Sequence, residues 1–390
     1  MDKLIGGIAQ YIKKNDLIHP GDHVIVGLSG GADSVFLLYA LKAVMPMFAF
    51  TLSAFHVHHG IRGEEADRDL QFAEALCEKE SIPFSFVHVD APLYAAEKHL
   101  SLEEAGRILR YQAFATERDK ISAEMNACKT SNDSNAGNLE HTRKTSTKIE
   151  KVTDVCDAFV SQEKQQVLVA VAHHMDDQAE TILHNMLRGS GLRGLRGMEP
   201  KHDFIIRPLL SIRRSDIVTW LSTNKISYIE DSTNADDRYT RNRIRHILLP
   251  EMTEINRDAV EHLSGIAENA AEADQYFRDK AEVFVREYED IKDRSIGINA
   301  IELRKLKRIE REYVYIELLR RLEIPLKDIG RVHLSALDRL LFGPGNGHLD
   351  LPYRVTGELL KKRLVLTVHK NIVSMERRRN HGTACESSDS

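Results

Sequence analysis

Residues 23–41 read HVIVGLSGGADSVFLLYAL, and no other stretch limits the fold as tightly. The short apolar, β-branched run predicts a buried strand over His23–Gly27, a glycine turn, and then a helix from about Ser34 to Val44. Gly30 and Gly31 let the backbone turn sharply and approach a ligand closely. The unpaired N–H groups and the positive dipole end of the following helix suit a phosphate. Ser29 and Ser34 add hydroxyl donors on either side of Ala32 and Asp33. A carboxylate among phosphates is repelled unless Mg²⁺ bridges it to their oxygens, so Asp33 is read as a magnesium ligand. The Gly-Lys-Ser/Thr ending of a Walker A loop is missing.

The same alternation continues along the chain. Strands are expected at Phe50–Val57, Pro83–Val89 and Val167–Ala172, and helices at Glu64–Lys79, Leu102–Arg118 and Asp177–Arg188. Ser101 with Glu104 three residues on forms a capping box for one of these helices. Strands alternating with helices predict a doubly wound α/β fold around a mostly parallel sheet. From Pro250 onward helical patterns dominate, over Glu251–Ala281, Ala300–Leu322 and Leu326–Leu341, with short β-like stretches at Tyr353–Thr356 and Arg363–Val368. The expected organisation is a catalytic domain over 1–222, a basic linker over 223–250, a mainly helical domain over 251–370 and a polar tail over 371–390. Residues 122–165 are polar and aperiodic and read as a loosely ordered insertion. Gly189, Gly191 and Gly194 spell Gly-x-Gly-x-x-Gly but follow a helix, not a strand, so a dinucleotide fingerprint is rejected and a flexible loop is expected there.

Composition excludes several classes. No apolar run is long enough to span a membrane, and the N-terminal MDKLIGGIAQYIKKND reads as an amphipathic helix, not a signal peptide. Cys77, Cys128, Cys156 and Cys385 are scattered without a Cys-x-x-Cys pair, which argues against zinc ribbons and redox dithiols and fits a reducing cytoplasm. The formal net charge is −5, so any nucleic-acid surface must be local. Arg188–Arg214 holds seven basic and two acidic residues, and Arg238–His246 holds four arginines and no acid. Arg241, Arg243 and Arg245 are candidates for phosphate-backbone contacts. Of His56, His58 and His59, the first two share a strand face, but no partner is spaced for zinc.

The Ser-Gly-Gly-x-Asp-Ser pattern resembles the loop of the N-type ATP pyrophosphatases, which implies cleavage between the α- and β-phosphates of ATP. Further stretches narrow the resemblance: FHVHHGIRGEEADRD, SLEEAGRILRYQAF, AHHMDDQAETILHNMLRGSGLRGLRGM, RPLLSIRRSDIVTWL and DSTNADDRYTRNRIRHILLP. Together and in this order they resemble the tRNA(Ile)-lysidine synthases from about Leu4 to Val368, the polar insertion aside. That resemblance implies ATP-dependent joining of free L-lysine to C2 of the wobble cytidine in the CAU anticodon of tRNA(Ile). The alternatives are a tRNA 2-thiolase, against which the lack of paired cysteines counts, and a nucleotide-binding regulator without chemistry. Longer relatives carry a further small domain, so selectivity against methionine tRNAs is expected to rest on fewer contacts. The oligomeric state is not legible, and a homodimer is compatible with the sequence.

The resemblance also implies roles. Arg107 matches the arginine placed near the reacting phosphate, where developing negative charge needs a cation. Arg110 is read as a surface ion-pair partner. Asp176, Asp177 and Glu180 supply carboxylates shared between the lysine amine and Mg²⁺, the division among them left open, with Asp176 and Glu180 spaced for one helical face. His174 is either a nucleotide contact or proton acceptor, or else a structural histidine. His56 falls on the ATP side, and Arg188 and Arg193 fall near nucleotide or tRNA phosphates. Gly106 stands where many relatives have alanine.

Overall fold

The structure is a computed structural model that describes residues 2–61, 63–134, 165–230, 240–292, 294–343 and 347–369, with side chains described throughout except at 128–134. It divides into two compact units, Met1–Ala270 and Ala271–Ser390.

The first unit opens with α1 (Lys3–Lys14), which is capped by the Asp2 carboxylate and buries Ile5, Ile8, Ala9 and Ile12 on one face. It continues through β1 (His23–Gly27), α2 (Ala32–Phe48), β2 (Thr51–His58), α3 (Glu64–Glu80), β3 (Phe84–His88), α4 (Ala91–Lys98) and α5 (Leu102–Ser134). Beyond the undescribed stretch come β4 (Val167–Ala170), α6 (Met175–Leu187), the one-turn α7 (Leu192–Leu195), β5 (Lys201–His202), β6 (Ile205–Ile206) and α8 (Arg214–Thr223). The unit closes with α9 (Thr240–Arg243), a π-helical turn at Ile244–Leu248, α10 (Leu249–Ile255) and the start of α11 (Ala259–Tyr288).

The six strands lie in the order β3-β2-β1-β4-β6-β5, parallel except for the terminal β5–β6 pair. Central β4 is buried at all four residues, which is why it reads as a continuous apolar run. Val24, Val26 and Leu28 face a core with Phe36, Leu37, Leu38 and Leu41 of α2, while Ile25 faces a second core with Phe55, Phe114 and Val169. Truncating one of these leucines to alanine costs about 2–5 kcal/mol. Chain order runs outward from β1 to β2 and β3, then returns to place β4 on β1's other side. That reversal opens a crevice between the loops after β1 and β4.

Several elements depart from the expectations. α5 does not stop at Arg118; it runs thirteen residues into the expected insertion, to Ser134. Ile121 and Met125 continue the stripe of Phe114 and pack on the same core, which carries the helix past its polar composition. Residues 135–164 of that insertion and the tail from 370 lie outside the described residues. α4, capped by Asp90, was not anticipated. Gly189–Gly194 forms a turn entering α7, where Asn185 Nδ2 donates to the Gly194 carbonyl at 2.8 Å and Ser190 N donates to the Asn185 carbonyl at 3.0 Å.

The second unit holds the remainder of α11, then β7 (Glu289–Lys292), β8 (Ser295–Asn299), α12 (Ala300–Lys305), α13 (Arg308–Arg321), α14 (Arg331–Phe342), β9 (His348–Leu351), β10 (Val355–Leu360) and β11 (Arg363–Val368). Its helices pack on a five-stranded antiparallel sheet of order β7-β8-β11-β10-β9. The sequence reading places two β stretches here; the structure adds three strands. Among the described residues no helix is long and apolar enough to cross a membrane.

Candidate functional site

The loop after β1 folds around its own hydroxyls. Ser34 Oγ accepts from Ser29 N at 3.1 Å, donates to the Gly31 carbonyl at 3.0 Å, and lies 3.1 Å from Ser29 Oγ. Gly30 sits at φ +89°, a conformation that side chains resist, and Ile229 N donates to its carbonyl at 2.9 Å. Gly31 is the N-cap of α2 and has no side chain to cap it, so the first N–H groups of that helix are left for a ligand.

A cavity of about 520 Å³ opens at this loop. Ser29, Gly31, Asp33, Ser34, His56 and Arg107 line it, and so do His173 after β4 and Arg110 on α5. Phe55, Val57, Tyr111 and Phe114 make its apolar side. Gly30 and Ala32 complete the loop; Ala32 is turned into the core. The Leu28 carbonyl can only accept, so the His56 Nδ1–H, 2.8 Å away, donates to it and braces the strand end that leads into the loop. Burial pushes the His56 imidazole below its ordinary value, and the bond to Leu28 offsets only part of that. Arg107 lies over the Tyr111 ring at 5.4 Å. Arg110, read from sequence as a surface partner, stands in the cavity wall with Nε 3.4 Å from His59 Nε2.

Beside the cavity runs a chain of charges. His174 caps α6 in a reciprocal box with Asp177: His174 N donates to Asp177 Oδ2 at 3.1 Å and Asp177 N donates to His174 Nδ1 at 3.3 Å. His174 Nε2 also lies 3.8 Å from Asp33 Oδ2. Glu180 is 1% exposed and receives Arg245 on both oxygens, from Nε at 2.5 Å and Nη2 at 2.9 Å. The same Nη2 donates to Asp177 Oδ1 at 3.2 Å, and Arg241 Nε lies 3.4 Å from Glu180 Oε2. Burial alone would raise the Asp177 carboxyl, but His174, His173 and Arg245 outweigh it and hold it below its ordinary range.

The carboxylates that share a partner are Asp177 and Glu180. Positions three apart are helix neighbours as well as positions four apart, and Asp176 is drawn away by Arg213 Nε at 3.3 Å and by the backbone N of Arg214 at 2.8 Å. Arg241 and Arg245 pair with carboxylates while their side chains stay 38% and 36% exposed, and Arg243 is exposed. Arg188 caps the end of α6 and Arg193 lies in α7, neither of them lining the cavity.

His173 is the residue the sequence reading passed over. It sits in the cavity wall, its Nδ1 is buried without a partner among the described residues, and burial pushes its imidazole down to about 4. The adjacent pair His173–His174 at the end of an apolar run was the available signal.

Asp33 fits a magnesium ion. Its Oδ1 is buried without a protein partner, at the start of the helix that faces the cavity. Burial pushes its carboxyl above the ordinary range, with His174 and Arg214 offsetting part of the push. Among the described residues no cluster of three ligating side chains exists. Mg²⁺ bound through one or two carboxylates, with substrate phosphates and water completing its shell, needs none.

The PP-loop domain family matches residues 7–135 and 120–252. A tRNA(Ile)-lysidine synthase of Parabacteroides distasonis is 36% identical over 70% of this chain and 52% of its own length, and that of Bacteroides thetaiotaomicron is 34% identical over 76% and 57%. That of Caldanaerobacter subterraneus subsp. tengcongensis is 31% identical over 94% of this chain and 70% of its own. The chain thus spans about half the length of the first two relatives. With a phosphate loop at the strand-order reversal and matches that run along most of its length, the chain belongs to the PP-loop family and, within it, to the tRNA(Ile)-lysidine synthase family.

Proposed function

We propose that this protein adenylates the C2 oxygen of the wobble cytidine of tRNA(Ile) bearing CAU and then exchanges AMP for the ε-amine of free lysine. The observation that carries this reading is the juxtaposition of the Ser29–Ser34 loop, with Arg107 in the same cavity wall, and a buried carboxylate pair one histidine away.

The loop's free N–H groups and the start of α2 bind the ATP phosphates, and the apolar side of the cavity takes the purine. Asp33 is the residue that would hold Mg²⁺, which would supply neutralising charge to the phosphates. A cytosine carbonyl oxygen is a poor leaving group. It attacks the α-phosphorus, a C–O–P linkage forms, and the bond to pyrophosphate breaks. Arg107 stabilises the negative charge that develops on phosphorus. The lysine ammonium gives up a proton to water, and the free amine attacks C2; the C–N bond forms, the C2–O bond breaks and AMP leaves. Asp177 and Glu180 recognise the lysine ammonium. His174, hydrogen-bonded to Asp177 and close to Asp33, connects the two halves of the site.

The test is incorporation of labelled lysine into an unmodified tRNA(Ile) transcript with CAU, in the presence of ATP and Mg²⁺. Incorporation that needs ATP and disappears in Asp33→Ala supports the reading. Pyrophosphate release with tRNA but without lysine incorporation keeps the adenylation and sinks the assigned nucleophile.

A further inference from the structure

We propose that Arg245, seconded by Arg241, is a gate on the amine site: it occupies the Asp177–Glu180 pair as an internal cation and must leave before the substrate ammonium can enter. This rests on the lysine reading above.

The geometry leaves little room for both cations. Arg245 engages both oxygens of Glu180 and one of Asp177, and Arg241 approaches the same Glu180 Oε2 that Arg245 Nη2 holds while donating to Thr181 Oγ1 at 3.2 Å. Two carboxylates are thus matched by two guanidinium groups. An added ammonium would place three cations on two anions in a site where Glu180 is 1% exposed. Desolvating an amine there is favourable only if a guanidinium departs, so amine entry is cation exchange.

The carrier of Arg245 is an irregular turn. Arg245 lies in the π-helical turn Ile244–Leu248, whose Ile244 is buried while His246, Ile247 and Leu248 are exposed. Relaxing one π turn into α-helical register shifts the chain by one residue, which rotates a side chain by about 100° about the helix axis. That rotation takes the guanidinium off Glu180. Exposed Arg243 stands two residues away on the same segment, and a phosphate of a bound RNA offers the freed guanidinium a charge-assisted partner. The consequence is an order of events: RNA engages the turn first, and the amine site opens second. Free lysine is then kept from the adenylating centre until the RNA is in place.

The experiment measures equilibrium binding of L-lysine to the full chain with α,β-methylene-ATP and Mg²⁺, with and without the tRNA transcript. Norleucine, which keeps the α-amine but lacks the ε-amine, is the control. The wild-type protein is expected to bind lysine at least tenfold more tightly with RNA than without it. Arg245→Gln is expected to bind lysine without RNA at least tenfold more tightly than the wild type does, and norleucine to bind neither. Because an unpaired Glu180 weakens the fold, Arg245→Lys is measured in parallel; one ammonium cannot span both carboxylates, so a smaller gain of the same sign is expected. Lysine should also raise the thermal midpoint of either variant more than that of the wild type. Lysine bound by the wild type with RNA, but no better by either variant without RNA, overturns the gate and leaves the lysine reading intact. No lysine binding by any protein under any condition overturns both.

Discussion

A Cβ on Gly27 would lie 2.8 Å from Cζ of Phe114. Gly27 ends β1, and Phe114 reaches from α5 into the core beside it. Both line the cavity, so the missing side chain is what lets the ring stand there. Gly27→Ala must therefore displace Phe114, and overpacking of this kind costs about 1–3 kcal/mol. We expect a lower midpoint in urea together with weaker ATP binding, both followed by denaturation and nucleotide titration. Gly27→Ala combined with Phe114→Leu should recover part of the ATP affinity, because the shorter side chain vacates the contested space.

Gly106 gives the opposite prediction. Its Cβ would meet His59 Nδ1 at 3.7 Å and Ile61 Cδ1 at 3.9 Å, ordinary contact distances. Its position inside α5 is helical, where alanine is favoured over glycine by about 0.5–1 kcal/mol. Gly106→Ala should raise the thermal midpoint by a few degrees and leave the KM for ATP unchanged. A fall in the midpoint would mean that His59 cannot yield.

Much of this was legible, and the reasons differ between halves. β1, α3 and the start of α5 follow from local signals: a β-branched run, a helical stripe, and Ser101 Oγ accepting from Glu104 N at 3.1 Å as the capping box requires. The phosphate loop is legible because glycine, serine and helix start carry their chemistry in adjacent residues. The pairing of Arg245 with Glu180 is not, because its 65-residue separation has no local signature. Charge runs look alike whether they face water or a buried carboxylate. The three unforeseen strands of the second unit fail for a related reason. EDIK, SIGIN and HLDL are short and weakly alternating, and their places in the sheet, EDIK on SIGIN, SIGIN on β11 and HLDL on β10, come from the tertiary fold.

His23 makes stability depend on pH. Its ring lies between Thr51 Oγ1 and Ser53 Oγ, each at 2.8 Å, and burial pushes it from 6.5 down to about 4. The folded state therefore holds His23 neutral where the unfolded chain takes up a proton. Stability from this group is present above pH 6.5 and is lost as the pH falls toward 4. The full effect is about 3 kcal/mol. Urea unfolding at steps across this window should show the decline, and His23→Gln should flatten it by that amount. His173 and His56 are also depressed and remain in both proteins, so the difference between the two curves isolates His23. Parallel curves would exclude it as the titrating group.

Arg107 and Arg110 line one cavity, but only Arg107 is assigned to the phosphate that reacts. The two lie three residues apart on α5, so a general loss of positive charge affects them alike. A role in the transition state does not. Removing a group that stabilises developing charge lowers kcat by about 10²–10³ with little change in KM. Arg107→Ala should therefore cut tRNA-dependent pyrophosphate release by that factor while ATP still binds. Arg110→Ala should shift the KM for ATP by less than tenfold and leave kcat near the wild-type value. Arg107→Lys should recover part of the rate, because an ammonium restores charge without the planar fork. Equal kcat losses in the two alanine variants would show that the wall acts only as a field of charge, and would remove Arg107 from the chemistry.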